Sequence, residues 1–137
     1  MPGLLLAARY YELRLMSLAG FQPQLFHCVS CGNPIQEQDQ YFSAALGGLL
    51  DPESRTADRE ALPISAVAVK VLRYLQTRSW DTVRTLNLKR SLHTELEAVM
   101  HTYIRYHLER QLKSVEFLYR LRKEPILLSP NKKAEEE

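Results

Sequence analysis

The chain is poor in cysteine: Cys28 and Cys31, three positions apart, are the only two in 137 residues. A secreted disulfide scaffold of this size carries more cysteines, spread along the chain, so that class is excluded. No apolar run approaches the roughly 18 residues that a membrane-spanning helix needs. The apolar start Met1-Pro2-Gly3-Leu4-Leu5-Leu6 has no basic leader and no small-residue cleavage site, so it is not read as a signal peptide. The expected compartment is the cytoplasm, with no membrane contact. There is no internal repeat. No phosphate-cradling glycine loop appears, and no nucleophile stands at a readable spacing from a general base. The expectation is therefore a non-catalytic chain.

What is present is ordinary globular material, 45% hydrophobic and 25% charged, enough for one domain with a real core. The net charge of +2 conceals an asymmetry. Residues 1–60 hold four Lys/Arg against seven Asp/Glu, whereas residues 61–123 hold twelve against five. A local excess of that size sets up a positive field that attracts nucleic acid or acidic protein tails; a solvated helical surface is the plainer alternative.

The periodicity predicts a mainly α fold, a helical domain over residues 1–123 with a small zinc-ribbon-like β-hairpin knuckle inserted at about 27–63, and a flexible tail over 124–137. Leu6, Tyr10, Leu13 and Met16 recur at helical spacing over residues 4–19, and Gly20 stands where a left-handed cap belongs. Asp39–Ser43 and Gly48–Leu50 read as two short strands, and Asp51–Leu62 as a loop. Ser65 is the expected cap of a helix with Val67, Val71, Leu72 and Leu75 on one face. Trp80-Asp81-Thr82-Val83 reads as a short turn of helix. Ser91 or Thr94, the latter with Glu97 in capping-box spacing, is expected to open a long helix to about Arg122, bent near Leu108 to Gln111.

Two thiols separated by two residues hold zinc when a second pair completes the tetrahedron. Here the frame runs Cys28-x2-Cys31-x19-Asp51-x2-Ser54, a ribbon spacing with the second pair replaced. Asp51 can ligate through a carboxylate oxygen, but the Ser54 hydroxyl stays protonated near neutral pH. Cys28, Cys31 and Asp51 are thus the candidate metal ligands, with His27 or water as filler. The expectation is weak or absent metal, and a hairpin held by packing of Tyr41, Phe42, Leu49 and Leu50.

Three further residues are singled out on the long helix. A helical wheel over residues 92–121 puts Arg110 on the apolar face, beside Tyr103 and Tyr106. A guanidinium there requires a partner, because an unpaired buried charge is strongly destabilising. Either an internal carboxylate such as Glu12 supplies it, or a helix bend releases the side chain, or Arg110, Tyr103 and Tyr106 form a pocket for an acidic group of a binding partner. A separate basic stretch, Arg73, Arg78, Arg84, Lys89 and Arg90 around Trp80, could follow a phosphate backbone.

Several passages are similar to a known family. Tyr10-Tyr11-Glu12-Leu13-Arg14-Leu15, Gly20-Phe21-Gln22-Pro23-Gln24-Leu25 and Cys28-x2-Cys31-Gly32 resemble the helix-to-knuckle passage of the bacterial DNA repair protein RecO. Tyr41-Phe42-Ser43 with Gly47-Gly48 resembles its hairpin, and Tyr106-His107-Leu108-Glu109-Arg110-Gln111-Leu112-Lys113-Ser114-Val115-Glu116-Phe117-Leu118 its closing helix. The resemblance implies a mediator of recombinational repair that anneals strands, helps load recombinase, and contacts RecR, DNA (single- and double-stranded) and the acidic, Phe-terminated tail of single-stranded-DNA-binding protein. It implies a bacterial cytoplasmic, nucleoid-associated location. Two departures stand out: nothing corresponds to the family's leading oligonucleotide-binding barrel, so a fragment, truncated product or late start is expected; and Asp51 and Ser54 stand where many members carry a second Cys-x-x-Cys.

Overall fold

The computed structural model describes residues 2–123, so the tail read at 124–137 lies outside the described residues. Helix α1 spans Pro2–Leu18. Leu6, Tyr10, Leu13 and Met16 all become buried, so the spacing that implied a helix also defines its inner face. Gly20 takes φ +90°, and the N–H of Phe21 returns to the Met16 carbonyl at 2.7 Å, which satisfies a terminal acceptor of the helix.

Strand β1 (Gln40–Ser43) pairs antiparallel with β2 (Gly48–Leu50) on one side and with β3 (Leu62–Ile64) on the other. The register sets Phe42 opposite both Leu49 and Leu62. The expected hairpin is therefore the core of a three-stranded sheet. The segment read as a loop from Asp51 to Leu62 is more regular than expected. Asp51 caps a 3-10 helix, Pro52–Ala57, by accepting from the Ser54 N–H with Pro52 in the first turn, and the chain then closes the sheet as β3.

Helix α2 covers Ala66–Thr77, and the Ser65 hydroxyl caps it by accepting from the Ala68 N–H. Its buried face is Ala68, Val69, Val71, Leu72 and Leu75; Val67, expected on that face, is 56% exposed. Helix α3 is the single turn Trp80–Val83. Helix α4 runs from Arg90 to Lys123. Its start differs from the expected capping box: Thr94 lies one full turn into the helix and bonds back to the Arg90 carbonyl at 3.1 Å.

The chain divides into two compact units, Met1–Arg105 and Tyr106–Glu137, with the division inside α4. In the first unit a single core joins Leu6, Leu13 and Met16 of α1, Phe42 and Leu49 of the sheet, the inner face of α2, Val83, and Leu96, Val99, Met100 and Tyr103 of α4. Of the second unit, the described part is the second half of α4, where Leu108, Leu112, Val115, Phe117, Leu118 and Tyr119 are all more than half exposed. None of the described helices is long and apolar enough to cross a membrane.

Candidate functional site

The knuckle begins where the chain leaves Pro23. The Cys28 N–H bonds to the Asn33 carbonyl at 2.8 Å and the Gly32 N–H returns to the Cys28 carbonyl at 2.9 Å; Gly32 at φ +81° lets the turn close. The Val29 N–H bonds to the Leu49 carbonyl, which seats the knuckle on β2. Asp51 follows β2 directly, so the hairpin delivers its carboxylate to the thiols. One ligand atom each from Cys28, Cys31 and Asp51 lie within 4.8 Å of one another.

The hydrogen bonds sort the two carboxylate oxygens. Asp51 Oδ1 accepts from the Ser54 N–H at 2.9 Å, and Oδ2 accepts the Cys31 thiol proton at 3.1 Å. The Cys31 thiol and the Ser54 hydroxyl hold the Asp51 carboxyl below its ordinary range. Burial opposes ionisation of Cys28, but hydrogen bonds from the Cys31 N–H and the Ser54 hydroxyl outweigh it and bring its pKa down to about 7. Cys31 is shifted the other way: the Asn33 N–H favours its thiolate, but sharing its proton with Asp51 leaves the thiol above its usual value. Ser54 thus interacts with all three donors, a role that its place in the Cys-Cys-Asp-Ser spacing hinted at and its chemistry obscured.

The donor set is compatible with a zinc ion. Two sulfurs, one of them readily ionised, and one carboxylate oxygen converge as a thiophilic dication requires. The residues fit a three-ligand site, and Cys28, Cys31 and Asp51 would hold the ion, which would supply a cross-link between knuckle and hairpin. On the side of Asp51 the site borders a cleft of about 380 Å³ whose walls include Asn33, Gln36, Gln38 and Glu53.

The other candidate residues are scattered by the fold. Tyr103 is 1% exposed and its hydroxyl donates to the Phe21 carbonyl, so it is a core side chain. Arg110 is exposed, lying 5.7 Å from the Tyr106 ring centroid and donating to its hydroxyl at 3.1 Å. The carboxylate considered for it, Glu12, is instead bound by Arg9 on α1 at 2.7 and 2.8 Å. Burial of the α4 face ends near Tyr103, which is why the wheel misplaced Arg110. Arg73 donates to the Leu25 carbonyl at 2.8 Å and covers the Phe26 ring, so it serves the fold. Arg78, Arg84, Lys89 and Arg90 are exposed.

Two features were not legible beforehand. First, a groove of about 480 Å³ runs between α2 and the start of α4, floored by Val67, Val71, Leu88 and Leu92, with Lys89 and Glu95 among its lining. Second, α1 brings Tyr11 against Trp80, with ring centroids 6.2 Å apart and planes at 32°, while Tyr10 packs beneath at 5.4 Å. Arg14 locks this contact by donating to the carbonyls of Leu75 and Arg78 at the end of α2. The trace of each lay in the exposed aromatic and apolar residues, but the pairings are long-range.

Taken together, the features are those of a mainly helical protein with a small antiparallel sheet and a thiol knuckle. The family described as "Recombination protein O C terminal" matches residues 2–116, and the chain belongs to that family. It is 39% identical over 113 residues to a protein of Roseiflexus sp. (strain RS-1) named DNA repair protein RecO, covering 82% of this chain and 40% of the relative. A Desulforamulus reducens protein of the same name is 36% identical over 115 residues, 84% of this chain and 45% of the relative. One from Dehalococcoides mccartyi (strain BAV1) is 33% identical over 117 residues, 85% and 46%. The chain therefore spans less than half the length of these relatives. No solved structure matches it.

Proposed function

We propose that the chain is a non-catalytic docking module of bacterial recombinational DNA repair, which receives the acidic, Phe-terminated tail of single-stranded-DNA-binding protein. The observation that carries this reading is the groove between α2 and α4. Its floor of Val67, Val71, Leu88 and Leu92 suits an aromatic ring, and Lys89, followed by Arg90, supplies positive charge for carboxylates. The excess of Lys and Arg over residues 61–123 supports the same partner. Arg110 with Tyr106 forms a second cationic contact, on the second unit, for the tail or for RecR. Such a module acts in the cytoplasm beside the nucleoid, in strand annealing and recombinase loading.

Titration of the folded chain with a tail peptide at low salt tests this. Saturable binding that weakens with salt is expected, reduced at least about tenfold by Lys89→Glu or Val71→Glu, an energy of about 1.4 kcal/mol. An unchanged affinity in both variants, or no binding by the folded chain, overturns the reading.

A second reading has its own support. Trp80 and the exposed Tyr11 offer a stacking shelf flanked by Arg78 and Arg84, the chemistry of a single-stranded nucleic-acid contact. The chain has one tryptophan, so quenching of its fluorescence by a short oligothymidylate reports directly on the shelf. Quenching that persists in Tyr11→Ala with Arg78→Glu, or is absent at low salt, removes this alternative.

A further inference from the structure

Helix α1 is apolar on two opposite sides, and the core of the chain covers one of them. Leu6, Tyr10, Leu13 and Met16 are buried. On the far side Leu4, Ala8, Tyr11, Leu15 and Leu18 recur at alternating steps of four and three, the spacing of a seam between two helices. Leu15 is 64% and Leu18 85% exposed, and Leu4 and Tyr11 are also more than half exposed. A helix that is apolar all round is one that other elements cover on every side. The three charged residues of α1 are engaged away from this seam. Arg9 holds Glu12 through two bonds of 2.7 and 2.8 Å, and Arg14 donates to the carbonyls of Leu75 and Arg78.

The seam itself is therefore uncharged, and this selects what covers it. It offers nothing to phosphates or to an acidic tail, and it meets no like charge in a copy of itself. We propose that it pairs antiparallel with the same seam of a second copy of this chain, forming a symmetric dimer through α1. A twofold axis requires that if one residue meets another, the second meets the first across the same interface. Side-chain size then selects the direction. In the antiparallel register Leu4 meets Leu15 of the second copy and Ala8 meets its Tyr11, and the axis repeats both layers. Each leucine faces a leucine and each small residue a large one. A parallel pair would set Tyr11 against Tyr11 and leave a void between the two Ala8 methyl groups. Burial of the seam in both copies removes on the order of 1,000 Å² from water, near the lower limit for a specific interface, so the dimer is weak and concentration-dependent.

Sedimentation of the full chain from low-micromolar to submillimolar concentration tests this. A monomer–dimer equilibrium is expected. Trp80 emission should change over the same range, because this one tryptophan lies against Tyr11. Raising the salt concentration should leave the association intact, since no charges pair across the seam. Leu15→Asp should weaken the dimer at least about tenfold, with helical circular dichroism retained because the position is exposed. Ala8→Tyr should weaken it as well, by setting two rings in one layer. Ala8→Tyr combined with Tyr11→Ala exchanges large for small within that layer and should recover most of the affinity. A chain that stays monomeric at every concentration overturns the proposal. So does a dimer that survives Leu15→Asp but is lost in Leu112→Asp, which would place the contact on α4. Indifference to Ala8→Tyr, or no recovery on the exchange, overturns the antiparallel pairing.

Discussion

The phenol of Tyr103 donates its hydrogen bond to the backbone carbonyl of Phe21, 82 positions earlier, and ties the middle of α4 to the exit of α1. Its ring also meets Phe42 of β1 edge-on at 5.4 Å, so one side chain joins α4, the α1 exit and the sheet.

Burial pushes the Tyr103 pKa from 10.0 up to about 12. The fold therefore favours the neutral phenol. Its contribution is complete below about pH 10, where an unfolded tyrosine is neutral too, and is lost as pH rises through 12. Urea unfolding should show stability falling between pH 10 and 12 in the parent chain. Tyr103→Phe should cost about 1–2 kcal/mol at neutral pH through the lost hydrogen bond and flatten the alkaline decline. An alkaline slope unchanged by the substitution contradicts this assignment.

Gly48 sits where no side chain fits. A Cβ there would lie 2.3 Å from the Gln24 carbonyl oxygen and 2.8 Å from its nitrogen, both backbone atoms that cannot swing aside. The close approach exists because Gln24 and Leu49 exchange a bond across it, the Leu49 N–H donating to the Gln24 carbonyl at 3.0 Å. Gly48→Ala should destabilise the chain by about 2–3 kcal/mol, the upper range for an overpacked position. Thermal melts should place it well below Gly3→Ala, whose added carbon meets nothing within 4 Å.

Local signals were the readable ones. Ser65 caps α2 through its own hydroxyl, Gly20 and Gly32 take the positive φ their positions implied, and β1 and β2 fall within a residue of the expected strands. Each rests on contacts between near neighbours. The third strand was hidden because Leu62-Pro63-Ile64 is short, contains proline, and becomes a strand only by pairing with β1. Arg110 was misplaced because a wheel over the whole of α4 presumes one buried face to its end, whereas burial stops near Tyr103. At the knuckle, Cys28, Cys31 and Asp51 were legible from spacing, since a hairpin brings its two ends together. The groove and the Tyr11–Trp80 contact were not, because each joins helices distant in sequence.

Glu95 on α4 holds the junction of β3 and α2. Its two carboxylate oxygens accept from the Ser65 N–H at 2.6 Å and from the Ser65 hydroxyl at 2.9 Å, while that hydroxyl caps α2. Glu95→Ala should cost about 1.5–3 kcal/mol, because a charge-assisted acceptor is removed from a partly buried amide. Glu95→Gln keeps an acceptor for the Ser65 N–H and should lose roughly half as much. Equal losses in the two variants, measured by urea unfolding, would mean that packing and not hydrogen bonding is what Glu95 supplies.

The hairpin carries its own apolar anchor, and this decides what metal removal does. Phe42, Leu49 and Leu50 are at most 1% exposed, and Phe42 and Leu49 belong to the core shared with all four described helices. A structural metal is indispensable where such a core is lacking; here the ion would cross-link elements that are already packed. Chelation should therefore move the melting temperature of the metal-loaded chain by only a few degrees, equivalent to about 1 kcal/mol for a domain of this size. Phe42→Ala should cost about 3–5 kcal/mol whether or not metal is present, because it opens a cavity beneath Tyr103. A chain that loses its fold on chelation, with Phe42→Ala having little further effect, would show that coordination and not burial keeps the knuckle in place.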